Sequence, residues 1–236
     1  INNTWINSTN GTNGNPSTGA NPTFTFTTTD PIFPLVHLQA GELAVNFGQR
    51  AFAYTAPSGY KSLNTANLPT PTIADGSKYF DTKLYDGNSG TNAITMPNSN
   101  LSPDFVWLKA RNAAYGHNLY DSIRGALNTL NTNGTFAAYN EANSLTSFDS
   151  NGFTLGSSAG LNQSGKTFAA WVWDGGSSTV SNTDGSITSN VRAQPSAGFS
   201  CVSYTGTGSA LTVGHGLNAA PEFLIVKNRT SAASWF

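Results

Sequence analysis

The chain has 236 residues, a formal net charge of −1 at pH 7, only 10% charged residues and 11% aromatic residues. An average soluble protein is about 25% charged; here Asn, Thr, Ser and Gly take up the difference, and this many aromatic residues at so low a net charge exclude a disordered chain. The lack of any Lys/Arg run argues against nucleic acid as a partner, and no run of about 18 apolar residues is present for membrane insertion. Cys201 is the single cysteine, so no internal disulfide can form.

The first twenty or so positions are turn-rich, with Asn10-Gly11, Asn13-Gly14 and Asn15-Pro16 as hairpin or loop signals. Thr23-Phe24-Thr25-Phe26-Thr27 alternates and predicts a half-buried strand. Pro31 and Pro34 bracket a break. Leu35 to Leu38 and Leu43 to Phe47 read as strands joined by a turn at Ala40-Gly41. Pro69, Pro71 and Asp75-Gly76 mark a linker over 69–78.

A module follows over 79–174. Tyr79 to Leu84 predicts its first strand. Pro103-Asp104-Phe105-Val106-Trp107-Leu108-Lys109-Ala110-Arg111 predicts the strand around which the rest is organised. Proline at a strand start costs no ladder bond. Side chains alternate along a strand, so Phe105, Trp107, Lys109 and Arg111 share one face and Val106 and Leu108 the other. Apolar residues on both faces predict burial on both sides. Trp107 and Trp171 are accordingly expected in the core. Lys109 and Arg111 mark the exit to solvent, with a binding role for the pair as the alternative.

Leu119, Ile123, Ala126, Leu127 and Leu130 have helical spacing, but Gly125 and the Asn/Thr-rich surroundings weigh against a helix; the preferred reading is a strand through Leu119–Ile123 and then a loop. Ser147 to Leu155 predicts a hairpin turning at Asp149-Ser150-Asn151-Gly152. Phe168 to Trp173 closes the module, with Trp171 and Trp173 on one face and Phe168, Ala170 and Val172 on the other. Residues 175–198 read as a second linker.

The organising strand then recurs. Pro221-Glu222-Phe223-Leu224-Ile225-Val226-Lys227-Asn228-Arg229 keeps the Pro, Phe, Lys and Arg of 103–111. Upstream, Phe199 and Tyr204 match Phe80 and Tyr85, and Gly206 matches Gly87. The period is about 118 residues, the size of a small domain and too long for a solenoid unit. Residues 199–236 are thus the start of a second copy. Its phase predicts strands beyond Phe236 equivalent to Leu119–Ile123, Phe148–Leu155 and Phe168–Trp173. The fold class expected is all-β, with tandem β-sandwich modules of concanavalin-like or jelly-roll type.

These residues carry two resemblances. Asn46-Phe47-Gly48-Gln49-Arg50-Ala51-Phe52 and Pro57-Ser58-Gly59-Tyr60-Lys61-Ser62-Leu63, with Trp5 and Asn10-Gly11-Thr12 upstream, resemble the C-terminal part of a SPRY β-sandwich over 1–68. The paired Tyr-Asx-Gly…Pro-acidic-Phe…Lys-x-Arg segments resemble a repeat module of uncharacterised function. Leu119-Tyr120-Asp121-Ser122-Ile123-Arg124-Gly125, Phe148 to Gly156 and Ala170-Trp171-Val172-Trp173 extend the match. That module occurs in large virion proteins of marine and freshwater tailed bacteriophages, often after a SPRY-like domain. The resemblance implies a structural protein of a tail fibre or other virion-surface appendage, with a role in host attachment. Its partners would be other virion subunits, and a host-surface glycan in a lectin-like reading. A polysaccharide depolymerase is the third reading.

The low charge also predicts a homo-oligomer, a trimer if the protein belongs to a fibre. No cofactor, metal or catalytic residue is assigned. His37 sits in an apolar strand, and His117 and His215 sit in glycine-rich loops; none has a second ligand at metal spacing. Asp104, Asp121, Glu141, Asp149 and Asp174 are the carboxylates available for glycan hydrolysis, which needs two across a cleft, but turn chemistry accounts for Asp149 and Asp174. Asp149-Ser150-Asn151-Gly152 has half the pattern of a calcium loop and lacks the downstream bidentate acid.

Overall fold

In the computed structural model residues 70–236 are described, with one further set of positions before them (41, 46, 49–52, 55, 61, 62, 67 and 68). The SPRY-like reading of 1–68, the early strands and His37 otherwise lie outside the described residues. The chain divides into two units, Ile1–Thr70 and Pro71–Phe236. Every strand among the described residues belongs to the second.

The organising strand is β3, Phe105–Ala110. It lies between β9, Thr167–Trp173, and β4, His117–Asp121. β1, Phe80–Asp86, pairs with the far edge of β9. β5, Asn128–Asn131, and the short β6, Tyr139–Asn140, extend the other side. The result is a six-stranded antiparallel sheet in the order β1-β9-β3-β4-β5-β6. A second antiparallel sheet has β8, Gly152–Leu155, between β2, Asn92–Thr95, and β7, Leu145–Asp149.

The two sheets bury one core. Val106, Leu108, Phe168, Ala170 and Val172 come from the large sheet, and Ile94, Leu145, Phe153 and Leu155 from the small one. Tyr120 also points inward, its hydroxyl accepting from Thr129 Oγ1 at 3.0 Å. This is the expected all-β, sandwich-type architecture. The hairpin of β7 and β8 turns at the expected position, pairing Asp149 with Gly152. Only glycine fits at 152, because a Cβ there would stand 2.1 Å from the Ile94 carbonyl oxygen.

The strand reading of Leu119–Ile123 holds as far as Asp121. A helix across 118–130 is ruled out by the positive φ of Gly125 and Leu127. The one short α-helix among the described residues, α1 at Ala159–Asn162, is too short to leave a periodic signal in the sequence. Its Asn162 is fully buried and its Nδ2 lies within hydrogen-bond distance of Asn88 Oδ1, Gly90 O and Gly156 O, tying the β1–β2 loop and the segment after β8 to α1.

The expected linker 175–198 is corrected. It contains β10, Thr179–Asn182, and β11, Ser189–Gln194. These form a third antiparallel sheet with β12, Phe199–Tyr204. Polar composition hides them: only Ser189 and Val191 of β11 are buried, and the remaining contacts are made by polar or small side chains.

The repeat is visible in the pairing. In the first copy Lys109 stands opposite His117. In the second, Lys227 stands opposite Trp235 in the same antiparallel sense, and Val226 and Phe236 exchange N–H···O bonds of 2.7 and 3.0 Å. The segment after Pro221 therefore begins the same hairpin as β3 and β4.

Candidate binding face

Alternation along β3 and β9 sends one set of side chains into the core and the other outward. The outward set is aromatic. Trp107 of β3 lies opposite Trp171 of β9, which lies opposite Thr82 of β1. In the next row Phe105, Trp173 and Phe80 stand side by side. The Trp107 and Trp171 rings are 5.9 Å apart and tilted by 53°. Trp107 Nε1 donates to Thr132 Oγ1 at 3.1 Å, which fixes its indole plane.

Trp107 and Trp171 are half-buried on this outer face, which corrects their expected place in the core. The inter-sheet space is taken by the smaller Val106, Leu108, Ala170 and Val172. These pack in one core with Ile94, Leu145, Phe153 and Leu155 of the small sheet. A Trp107→Ala change should therefore cost about 1–2 kcal/mol, part of its area burial plus an aromatic pair; urea titration checks this, and a loss near ~4 kcal/mol, the usual range for a core tryptophan, would return the residue to the core.

The two rows have different fates. Phe199 of β12 stacks on Trp173 with centroids 5.9 Å apart and meets Phe105 edge-on at 5.6 Å. The third sheet thus closes the Phe105–Trp173 end. Beneath that contact Asp104 is 2% exposed. Its Oδ1 lies 2.6 Å from Arg192 Nε of β11, and its Oδ2 accepts the Gly175 N–H at 2.9 Å. Burial pushes the Asp104 carboxyl above the usual range, opposed by the Arg192 guanidinium and the Gly175 N–H. Cys201, opposite Arg192 in the register, is held protonated, chiefly by burial and secondarily by Asp121 and Asp104.

The Trp107–Trp171 end carries polar neighbours. Lys109 Nζ folds back to the carbonyls of Ala110 at 2.7 Å and Ala113 at 3.3 Å, while Arg111 is exposed at the strand exit. His117 is the first residue of β4 and not a loop residue, a correction that follows from its pairing with Lys109. Burial and then Lys109 lower its pKa. Beyond β5, an apolar groove of about 440 Å³ runs along Asn131 and Phe136–Tyr139.

The other candidates are dispersed. Asp121 accepts the Arg124 N–H at 2.9 Å and pairs with Arg124 Nε at 2.5 Å. Arg124 in turn donates to the carbonyls of Asn128 and Leu119. Glu141 Oε1 accepts from Ser158 Oγ at 2.5 Å. Asp149 accepts the hydroxyls of Ser147 and Thr154, each at 2.8 Å, and Asp174 accepts the Gly176 N–H at 2.6 Å. These bonds hold turns and loops in place. His215 Nδ1 accepts the Leu217 N–H at 3.3 Å. Among the described residues no three His, Cys, Asp or Glu side chains gather as metal ligands would.

Sequence reasoning misses Arg124, Arg192 and Phe199 as contact residues. The partners of Arg192 and Phe199 are set by tertiary register, and only the repeat of Phe80 at Phe199 points to either, whereas Arg124 finds its partners within five residues, at Asp121, Leu119 and Asn128.

Fold and face together define a β-sandwich module that carries a third strand layer on one end of an aromatic sheet face. A family described as a domain of unknown function, DUF7483, matches residues 75–236, and the chain belongs to that family. The match runs through the sandwich and the beginning of the second copy. No curated protein and no solved structure matches the chain.

Proposed function

We propose that this protein is a non-enzymatic structural module of a bacteriophage virion, placed in a tail fibre or other surface appendage, where it acts as a homo-oligomer beside other virion subunits. The observation that carries the reading is the repeated hairpin register, Lys109 with His117 and Lys227 with Trp235. Tandem copies of one sandwich suit an extended appendage, where each copy extends the last. The low charge supports the same reading: a crowded assembly of equal subunits gains from a surface with little like-charge repulsion. The resemblance to phage repeat modules gives the setting.

Antibodies raised against residues 71–236 should decorate the tail appendage of intact particles in negative-stain images. Label confined to the infected cell, with bare particles, would defeat the proposal. The same fragment should elute from light scattering as a defined oligomer at micromolar concentration.

A second reading, glycan recognition during host attachment, is favoured by the half-exposed Trp107 and Trp171 next to Lys109 and His117. Indole faces stack on the apolar faces of sugar rings, and the polar neighbours supply directional bonds. Retention on host polysaccharide without release of reducing ends would favour it. Release of reducing ends would point to a depolymerase.

A further inference from the structure

Lys227 repeats Lys109 in sequence but not in its bonds. Lys109 Nζ closes on the Ala110 and Ala113 carbonyls of its own turn. Lys227 Nζ reaches Asn228 O at 2.8 Å and, in the first copy, Thr135 O at 3.2 Å. The turn between Lys227 and Trp235 follows it. Arg229 O accepts the Ala138 N–H and Ala233 N–H donates to Thr135 O, each at 2.9 Å. Trp235 Nε1 meets two carbonyl oxygens, Gly134 O at 3.0 Å and Asn131 O at 3.2 Å. The turn that opens the second copy is therefore seated on residues 131–138 of the first, the loop between β5 and β6.

The first copy holds this seat in shape with bonds of its own. Thr132 N–H donates to the His117 carbonyl at 2.9 Å. Asn133 Oδ1 accepts the His117 N–H at 2.8 Å, and Asn131 Nδ2 donates to Asn118 Oδ1 at 2.6 Å. The Phe136 ring lies over Gly134, where a Cβ would stand only 2.9 Å from it, so the close approach needs glycine. The Asn131 and Gly134 carbonyls thus converge on one donor from a backbone already fixed, and fixed acceptors lose little freedom when that donor binds.

The contact uses groups that a closed module has to spare. In the first copy the turn is tied to its own β9: Arg111 N–H donates to Thr167 O at 2.7 Å, and Asn112 Oδ1 accepts the Thr167 N–H at 2.9 Å. The groups that correspond to Arg229 O and Ala233 N–H are the Arg111 carbonyl and the Tyr115 N–H. Among the described residues neither makes a backbone hydrogen bond. Closing a copy through β9 and seating its turn on a neighbour are therefore compatible. The position of Trp235 is taken in the first copy by His117, so the two turns are not equivalent. Seat and indole lie on different copies, which makes the contact heterologous and gives it a direction along the chain.

We infer that residues 131–138 are a docking site for the β-hairpin turn of the following copy, and that this contact fixes the angle between successive copies. The partner is a turn that opens with Lys-x-Arg and carries a tryptophan where His117 stands in the first copy. Its main chain supplies the Arg229 carbonyl and the Ala233 N–H, and its indole is the anchor. A tryptophan set among fixed polar partners is the kind of residue that carries most of the energy of such a contact. Lys227, 5.9 Å from the centre of the Trp235 ring, holds the indole from its other side. The inference rests on the modular reading of the proposed function and deepens it: copies joined this way form a stiff row and not beads on a flexible string.

The test uses the full chain. Amide exchange at Ala138 and Ala233 should be slow in the parent. Trp235→Phe keeps a ring but removes the indole N–H, and should speed both amides by about tenfold, the usual worth of one hydrogen bond, with exchange in Thr167–Trp173 unchanged. A chain carrying Thr135→Cys and Ala233→Cys should be bridged within itself by a short bismaleimide, as peptide mapping would show, and Trp235→Ala added to the pair should lower the yield. Fast exchange at Ala138 and Ala233 in the parent, or a bridge whose yield is indifferent to Trp235, would overturn the inference. A bridge found only between two chains would overturn it in favour of a joint between protomers. None of these readouts depends on whether antibodies find the protein on particles, so the joint and its setting can fail separately.

Discussion

Replacing Phe168 by alanine should remove about 3–5 kcal/mol of unfolding free energy, the usual loss for a large aromatic side chain in a packed core. Phe168 is fully buried. Its ring stacks on Tyr85 with centroids 5.2 Å apart and planes 12° from parallel, and Tyr85 meets Phe153 of the facing sheet edge-on at 6.4 Å. The ring therefore joins β9 to β1 and, through Tyr85, to the small sheet. Alanine would leave a void walled by rigid strands, which cannot close around it. Stability falls both by the lost transfer energy and by the cavity. Urea titration should show a lower midpoint with an unchanged slope. Leu84→Ala, at a position 59% exposed on the other face of β1, is the control and should lie within about 0.5 kcal/mol of the parent. A Phe168 loss below about 1 kcal/mol, less than any packed aromatic gives, would mean that the two sheets do not share this core.

Much of that core is legible in the chain itself. The alternation of Phe168-Ala169-Ala170-Trp171-Val172-Trp173 separates two faces without ambiguity, and the repeat isolates β1 and β3. What alternation does not tell is which face looks inward when both are apolar. By size the indoles are the better core candidates. Instead the large sheet turns Val106, Leu108, Ala170, Val172, Phe168 and Tyr85 inward towards Phe153 of the small sheet, and the tryptophans go outside. Volume matching between facing sheets decides this, and a single strand does not contain it. The stretch 175–198 is misread for a different reason. β10 and β11 bury few apolar side chains, so the period-two signal is faint and turn-type composition dominates. The role of Asp104 is hidden because its partner Arg192 lies far along the chain; proximity of that kind comes from the way β11 is laid beside the start of β3. The dispersal of Asp121, Glu141, Asp149 and Asp174 into local turns is more legible, since Asx and loop chemistry is written in the neighbouring residues.

Asp104→Ala should cost about 3 kcal/mol and loosen the third sheet before the sandwich, because removing one member of a buried ion pair leaves the other charge uncompensated, at about 3–5 kcal/mol in a closed interior. The lower end applies because the Arg192 side chain keeps 19% of its exposure and can turn partly to water. The carboxylate also accepts the Gly175 N–H, so the turn leading from β9 to β10 loses its anchor as well. Amide exchange in Ser189–Gln194 should rise well above that in Thr167–Trp173. Since Phe199 stacks on Trp173, the tryptophan emission should shift to the red as the layer lifts. The acid side of the pH profile provides an independent check. Burial raises the Asp104 pKa in the folded protein above its unfolded value, against the pull of Arg192 and Gly175. The folded state therefore holds the proton more tightly than the unfolded chain. This group's contribution to stability is greatest below the unfolded value, about 3.9, and declines as pH rises towards the folded value. Asp104→Asn keeps the shape and one acceptor but has no proton to release. The stability difference between parent and Asp104→Asn should shift against the parent as pH rises through that window and then level off. A difference that is flat across the window, or unchanged exchange in β11 of the alanine variant, would show that the pair does not hold the third sheet to the sandwich.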